Sequence, residues 1–197
     1  MSQRLVTYVT PEEYLRRERL AESRSEYLNG EIFAMTGASR QHNRITINIS
    51  SSLNLQLKGR PCETYAVDMR VKVRASGLYT YPDVAVVCGD PQFEDEYVDT
   101  LLNPTLLVEV VSQSTERYDR IAKTSYYRTI DSLAEHLLVA QDEIRLEQYV
   151  KRPNGQWLLS EYRELDEVVE LTAIGCELRL SDVYDRITFE PKRRVSR

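Results

Sequence analysis

The chain has 197 residues, of which 42% are hydrophobic and 29% charged, with a formal net charge of -5 at pH 7. This size predicts one domain, residues 1–197, with its own hydrophobic core. No run approaches the roughly 18 apolar residues of a membrane span, and the polar N-terminus lacks the apolar segment of a signal peptide. We therefore expect a cytoplasmic protein without a membrane partner, whose negative net charge gives no overall attraction to nucleic acid.

The three cysteines, Cys62, Cys88 and Cys176, are far apart in the sequence and form no C-x-x-C pair. This spacing suggests neither a zinc site nor a disulfide framework. We therefore expect three free thiols, buried or partly buried, in a reducing compartment.

Two helices are predicted in the first third of the chain. The string 10–13, a capping box with proline at the first helical position, predicts a helix over about 11–21. Ser39 can cap a second helix that runs to about Lys58, in which every fourth residue from Ile45 to Leu57 is apolar. His42 lies in the first turn of this helix, where a histidine is more often a polar helix-start residue than a catalytic one.

A β-hairpin is predicted around Asn29-Gly30, the residue pair typical of a two-residue type I′ turn. In this register Leu28 lies opposite Glu31, and Glu26 lies opposite Phe33. Glu26 and Glu31 then share one face with apolar neighbours, where a carboxylate needs a partner. The simplest interpretation is a pair of edge-strand charges beside an arginine, Arg24 or Arg44.

The rest of the chain is predicted to form mainly strands. Residues 62–73, 79–88 and 105–111 predict three strands, and a helix over about 117–130, capped by Ser112 or Ser114, follows them. A buried strand is predicted at 137–139, and an antiparallel ribbon pairs 144–150 with 157–162. Short strands are expected at 168–171 and 177–180, and the basic tail from about residue 190 is expected to fray.

Two strands carry carboxylates at the same end of a predicted hairpin. If 79–88 and 105–111 pair antiparallel around the 89–104 loop, Asp83 lies near Val110 and Cys88 near Thr105. Asp83 begins its strand and Glu109 ends the next, so both carboxylates come to one end. Five acidic residues are expected to form a solvated loop at the far end: Asp90, Glu94, Asp95, Glu96 and Asp99.

Two neighbouring carboxylates repel each other unless they share a cation or a proton. Their oxygens suit Mg²⁺ or Mn²⁺, which can activate water for phosphodiester hydrolysis. A supporting lysine is expected two residues after Glu109, but that position is Val111. Lys123, one turn after Asp119 in the next helix, is the best substitute, and its alternative is a surface ion pair with Asp119.

These residues stand in strings that resemble the Uma-two family of endonuclease-like proteins, which is similar to the PD-(D/E)XK superfamily. The strings are 24–32, 42–43, 81–84, 103–104, 108–112, 114–115, 118–123 and Tyr127. The resemblance implies an α/β fold with a restriction-endonuclease-like core, a central mixed β-sheet flanked by helices, and an added antiparallel C-terminal ribbon. This chain departs from the family pattern at His136, where relatives often carry an aromatic residue, and at Ala140, where they often carry aspartate.

The resemblance also implies a site. Asp83, Glu109 and the Val110 backbone carbonyl would bind Mg²⁺, with Mn²⁺ as an alternative, and Lys123 would complete the catalytic group. Glu31 and His42 occupy family-typical positions near it. We expect a metal-dependent DNA endonuclease that could act as a homodimer, and the alternative is a catalytically silent nucleic-acid-binding or structural module of the same fold.

Overall fold

The computed structural model describes residues 8–112 and 119–189. The helices of this part are α1 (Pro11–Glu18), α2 (Arg40–Gln56), a π-helix (Asp119–Lys123), α3 (Thr124–Tyr127) and α4 (Leu180–Val183). The strands are β1 (Ser25–Leu28), β2 (Glu31–Ala34), β3 (Cys62–Ala66), β4 (Arg70–Val73), β5 (Leu78–Thr80), β6 (Val84–Cys88), β7 (Thr100–Leu101), β8 (Leu106–Val111), β9 (Glu135–Ala140), β10 (Leu146–Lys151), β11 (Trp157–Tyr162), β12 (Val168–Leu171) and β13 (Cys176–Arg179).

Two mixed sheets dominate the fold. One has the order β2-β1-β5-β4-β7, the other β11-β10-β9-β8-β6-β3, and β12 and β13 form a small antiparallel sheet. The parallel pairs are β4 with β7 and β8 with β9. The predicted α/β fold with a mixed central sheet is thus confirmed, as is the antiparallel ribbon, whose β10 also pairs with β9 and so extends the six-stranded sheet.

The six-stranded sheet is covered on both faces. Alternate residues of β6 and β8, such as Val84 and Val108, pack against the apolar stripe of α2 and against β12, β13 and α4. The intervening residues, such as Ala85 and Leu107, pack against the five-stranded sheet and Tyr127. The five-stranded sheet lies between this layer and α1, which contributes Tyr14 to the packing.

The predicted helix starts are confirmed. The Thr10 hydroxyl accepts a hydrogen bond from the Glu13 amide at 3.3 Å, and the Ser39 hydroxyl accepts one from the His42 amide at 3.0 Å. The predicted start at residue 117, the candidate cap Ser114 and the tail from residue 190 lie outside the described residues. Across the described ranges, no helix is long and apolar enough to cross a membrane.

Two of the predicted strands are each divided between the two sheets. Residues 62–73 form β3 and β4, with a break at Val67, whose φ is 66°. Residues 79–88 form β5 and β6, which Tyr81-Pro82-Asp83 separates, and proline has no amide hydrogen with which to continue a sheet. The chain therefore crosses from one sheet to the other immediately before β6, and Asp83 lies at the boundary between them.

The acidic loop is not simply solvated, contrary to the expectation from sequence. Glu94 pairs with Lys72, and Asp99 accepts hydrogen bonds from Arg19 at 2.8 Å and Arg70 at 2.9 Å. Burial alone would raise the pKa of Asp99, but the arginines outweigh it and lower that pKa to about 2. The cause is the short strand β7, which pairs with β4 and draws the loop onto the basic residues of the five-stranded sheet.

The expectation of three free thiols is wrong. Cys62 and Cys88 are directly paired residues of β3 and β6 and form a disulfide across a sequence separation of 26. Cys176 is free and buried. Sequence spacing does not reveal the strand register that brings Cys62 and Cys88 together.

We expect the oxidised chain, unfolded in guanidinium chloride, to show one titratable thiol, that of Cys176, and three after reduction. Reduction should lower the free energy of unfolding by about 2–4 kcal/mol, because the open chain gains conformational freedom when unfolded. A Cys88→Ser variant, which lacks the bridge, is the control and should be insensitive to reductant. Three titratable thiols before reduction would contradict the assignment.

Candidate active site

Asp83 is fixed by two hydrogen bonds at the crossing between the sheets. Its Oδ2 accepts from the Val110 amide at 2.7 Å, and its Oδ1 lies 2.6 Å from His42 Nε2. The first contact ties the start of β6 to the end of β8. The second ties both strands to the first turn of α2, so three elements hold this carboxylate.

Glu109 lies opposite Asp83 across the strand pair. Val84 pairs with Val108, and one residue further along each strand are Asp83 and Glu109. The predicted register differs by one residue, since it placed Asp83 opposite Val110. The predicted arrangement of both carboxylates at one end of the hairpin is nevertheless what the structure has.

Lys123 points into the protein, with 7% of its side chain exposed. Its Nζ is 2.7 Å from Glu26 Oε1, 3.4 Å from Glu109 Oε1 and 3.6 Å from Asp119 Oδ1. The contact with Asp119 is the longest of the three, so the surface ion pair considered as the alternative does not describe this lysine. The π-helix places Asp119 and Lys123 on the same inward side, and such turns are often found at functional sites.

Glu26 is the site residue that the sequence pointed to least. It lies opposite Phe33, as predicted, but its partner is Lys123 rather than an arginine. It is 8% exposed and also accepts a hydrogen bond from Thr80 Oγ1 at 2.5 Å. The sequence did show a carboxylate on the apolar face of a hairpin, which needs a partner. It did not show that this partner is Lys123, almost one hundred residues away in the chain.

Glu109 is 5% exposed and contacts Lys123 and the Tyr127 hydroxyl, which donates to Oε1 at 2.5 Å. Burial raises the pKa of Glu109 well above its usual range. The Lys123 charge opposes this shift, whereas Asp119 and Asp83 add to it. Burial also disfavours the charge of Lys123, but the surrounding carboxylates, Glu109 first among them, raise its pKa well above the ordinary value.

The two further candidates differ in position. His42 reaches the site through Asp83, and that contact raises its pKa although burial alone would lower it. Glu31 is exposed and lies opposite Leu28 at the hairpin end, away from the buried cluster. The hairpin carries one carboxylate into the site, and that carboxylate is Glu26.

Comparison with known proteins agrees with this architecture. Residues 11–181 match the family model Uma2, described as "Putative restriction endonuclease". The chain belongs to the Uma2 family. Two relatives, both uncharacterised proteins of Synechocystis sp., are sll1609, 42% identical over 153 residues (78% of this chain and 86% of the relative), and slr1290, 34% identical over 181 residues (92% and 94%).

This Uma2-family chain also shares its fold with a solved structure. The crystal structure of a putative nuclease belonging to DUF820 from Anabaena variabilis superposes with a TM-score of 0.71 and 20% identity. The match covers 89% of this chain and 97% of that chain. At this identity the likeness concerns the fold alone, and it confirms the predicted mixed α/β architecture.

The donor set of this Uma2-family site is small and oxygen-rich. Within 8–112 and 119–189, no group of three or more His, Cys, Asp or Glu side chains is arranged to hold a metal ion. The candidate metal ligands are the Asp83 and Glu109 carboxylates and the Val110 carbonyl. This carbonyl points to the same side of β8 as the Val110 amide, which donates to Asp83. Among the described residues, four carboxylic acids and two basic groups lie around the site: Glu26, Asp83, Glu109 and Asp119 with His42 and Lys123. The hard oxygen donors of Asp83 and Glu109 fit a divalent cation that keeps water in its shell.

His136 lies behind the site as a neutral ring. It is 1% exposed, with ring centroids 5.1 Å from Tyr127 and 5.8 Å from Tyr149. Neither ring nitrogen has a hydrogen-bond partner among the described residues. Burial, aided by the charges of Arg128 and Lys123, lowers the pKa of His136 from 6.5 to about 3. An apolar aromatic ring would suit this position equally well.

We expect His136→Phe to make the protein more resistant to acid. His136 becomes protonated below about pH 6.5 in the unfolded chain, but only below about pH 3 in the folded chain. The folded state of the wild type therefore loses stability as the pH falls from 6.5 towards 3. The free energy of unfolding of the variant, relative to wild type, should rise by about 1.4 kcal/mol per pH unit below the unfolded pKa. Urea unfolding at several pH values between neutral and mildly acidic measures it. A difference that does not change with pH would show that folding leaves the pKa of His136 unshifted.

Proposed function

We propose that this Uma2-family chain is a divalent-cation-dependent nuclease that hydrolyses phosphodiester bonds of DNA. The observation that carries the proposal is the convergence of Asp83 and Glu109 at the boundary of the two sheets, beside the buried ammonium of Lys123. Membership of a family whose model is described as "Putative restriction endonuclease" supports the reaction class. Because the net charge of the chain is negative, phosphate would be attracted by Lys123 and by a bound cation rather than by the whole surface.

The side chains of Asp83 and Glu109, with the Val110 carbonyl, would bind Mg²⁺ or Mn²⁺. When bound, the cation would polarise the phosphodiester and lower the pKa of a coordinated water. The cation would also relieve the repulsion from Asp119 and Asp83, which adds to the effect of burial in raising the pKa of Glu109.

Lys123 would act on the substrate directly. Its ammonium group has three donor hydrogens, and the contacts with Glu26 and Glu109 fix its position. In this position it would donate a hydrogen bond to a phosphate oxygen or to the attacking water, where negative charge increases in the transition state. Held at 2.6 Å, His42 would keep the Asp83 carboxylate oriented.

A homodimer would bring two such sites to a DNA duplex, one for each strand. Closed two-fold pairs are the commonest form of soluble oligomer. This part of the proposal rests on the geometry of the substrate, because double-strand cleavage needs two hydrolysis events.

We expect cleavage of plasmid or oligonucleotide DNA that requires Mg²⁺ or Mn²⁺ and stops with EDTA. Asp83→Asn and Glu109→Gln, which keep the shape of the side chain and remove its charge, should reduce the rate at least about 100-fold. Glu177→Gln, the same chemical change at an exposed position of β13, is the matched control and should leave the rate unchanged. Equal cleavage by wild type and Asp83→Asn would point to a contaminating nuclease, and no cleavage of any DNA would favour the catalytically silent module.

Glu26 should prove more important than its hairpin neighbour Glu31. In Glu26→Gln the ammonium of Lys123 loses its ion pair with Glu26 and is drawn towards Glu109, so we expect kcat to fall about 10- to 100-fold with little change in KM. Glu31→Gln makes the same chemical change on the same hairpin face at an exposed position and should retain wild-type kinetics. Steady-state cleavage of one labelled oligonucleotide by both variants decides between them, and equal loss in both would refute the assignment.

A further inference from the structure

The edge strand β2 leaves apolar side chains exposed. It is the outermost strand of the five-stranded sheet, and all four of its residues are exposed. Phe33 is 46% exposed, and Met35, just past the strand end, is 39% exposed. Neighbouring exposed apolar side chains, unlike single ones, mark candidate binding surfaces.

The position of Phe33 connects it to the site. Phe33 is the direct partner of Glu26 in the β1–β2 pair, and directly opposed side chains have Cβ atoms about 5 Å apart on the same face. Glu26 is the residue that contacts Lys123 at 2.7 Å. Met35 follows Phe33 by two residues, so its side chain lies on the same face, because side chains alternate along a strand.

A positive charge lies at the end of this strip. The Met35 amide donates to the Arg24 carbonyl at 3.0 Å, which places Arg24 beside it. The Arg24 side chain is 42% exposed, and its contact with Asp68 is long, at 3.4 Å, and exposed on both sides. Such a contact adds little stability and yields readily to a phosphate.

We propose that Phe33, Met35 and Arg24, here called the β2 rim, bind a nucleotide next to the scissile phosphate, with its base stacked on the Phe33 ring. This inference rests on the proposed function and adds a substrate class to it. A ring beside an arginine is the usual pairing for stacking a base and holding its phosphate. Because bases inside a duplex are already stacked on each other, the β2 rim selects single-stranded or locally unpaired DNA.

The test measures binding without cleavage. Fluorescence anisotropy with a labelled single-stranded oligonucleotide and with its duplex, in Mg²⁺ and in an Asp83→Asn background, gives Kd for each. We expect the single strand to bind more tightly, and Phe33→Ala to raise its Kd about 5- to 150-fold, the loss of one base–aromatic stack. Phe33→Trp should restore binding, and Arg24→Gln should lower the slope of log Kd against log salt concentration by about one.

Tyr97→Ala is the matched control. Tyr97 is another exposed aromatic residue, but it lies in the acidic loop under the Arg19 guanidinium, at the opposite end of the β6–β8 hairpin. Its replacement should leave Kd unchanged. Circular dichroism of each variant establishes that it folds.

Three results would overturn the inference. Measurable binding that Phe33→Ala leaves unchanged refutes the β2 rim and leaves the proposed nuclease intact. A change from dimer to monomer in Phe33→Ala, seen by light scattering, would show that a second copy of the chain covers this strand instead. No binding of any DNA, together with no cleavage by the wild type, would refute both proposals.

Discussion

The ammonium group of Lys123 is the contact on which the site depends. It lies among carboxylates from three parts of the chain: Glu26 of the five-stranded sheet, Glu109 of the six-stranded sheet and Asp119 of the π-helix. A buried charge costs several kcal/mol of desolvation and is tolerated only when well paired. The Lys123 ammonium therefore links two sheets and a helix at the point where we propose that a phosphodiester binds.

The ionisable groups of this cluster are strongly perturbed, and that is informative. Burial and neighbouring acids raise the pKa of Glu109, and the carboxylates around Lys123 raise the pKa of its ammonium group. Asp83 lies beside this pair and contacts His42. Functional sites are where such perturbed groups concentrate. Carboxylates that share this position are thus the electrostatic argument for a cation and for the nuclease we propose.

Local patterns predicted much of the geometry around Asp83 and Glu109, but they did not predict contacts between distant parts of the chain. Asn29-Gly30 predicted the register that puts Glu26 opposite Phe33, because a two-residue turn fixes the pairing. Pattern and resemblance together directed attention to Lys123, which is indeed buried. The resemblance to the family pointed to Glu31 and not to Glu26. Only the contact with a distant lysine distinguishes these two carboxylates on one hairpin face.

The sequence by itself determined the helix caps, the hairpin, the α2 stripe and the placement of Asp83 and Glu109 at one end of a strand pair. These features depend on residues close in the chain or on simple alternation. Only the tertiary structure decided that two predicted strands divide between two sheets, that Cys62 meets Cys88, and that the acidic loop is paired with arginines. Each of these depends on which strands become neighbours, and the burial of a whole layer, rather than any local preference, selects that pairing.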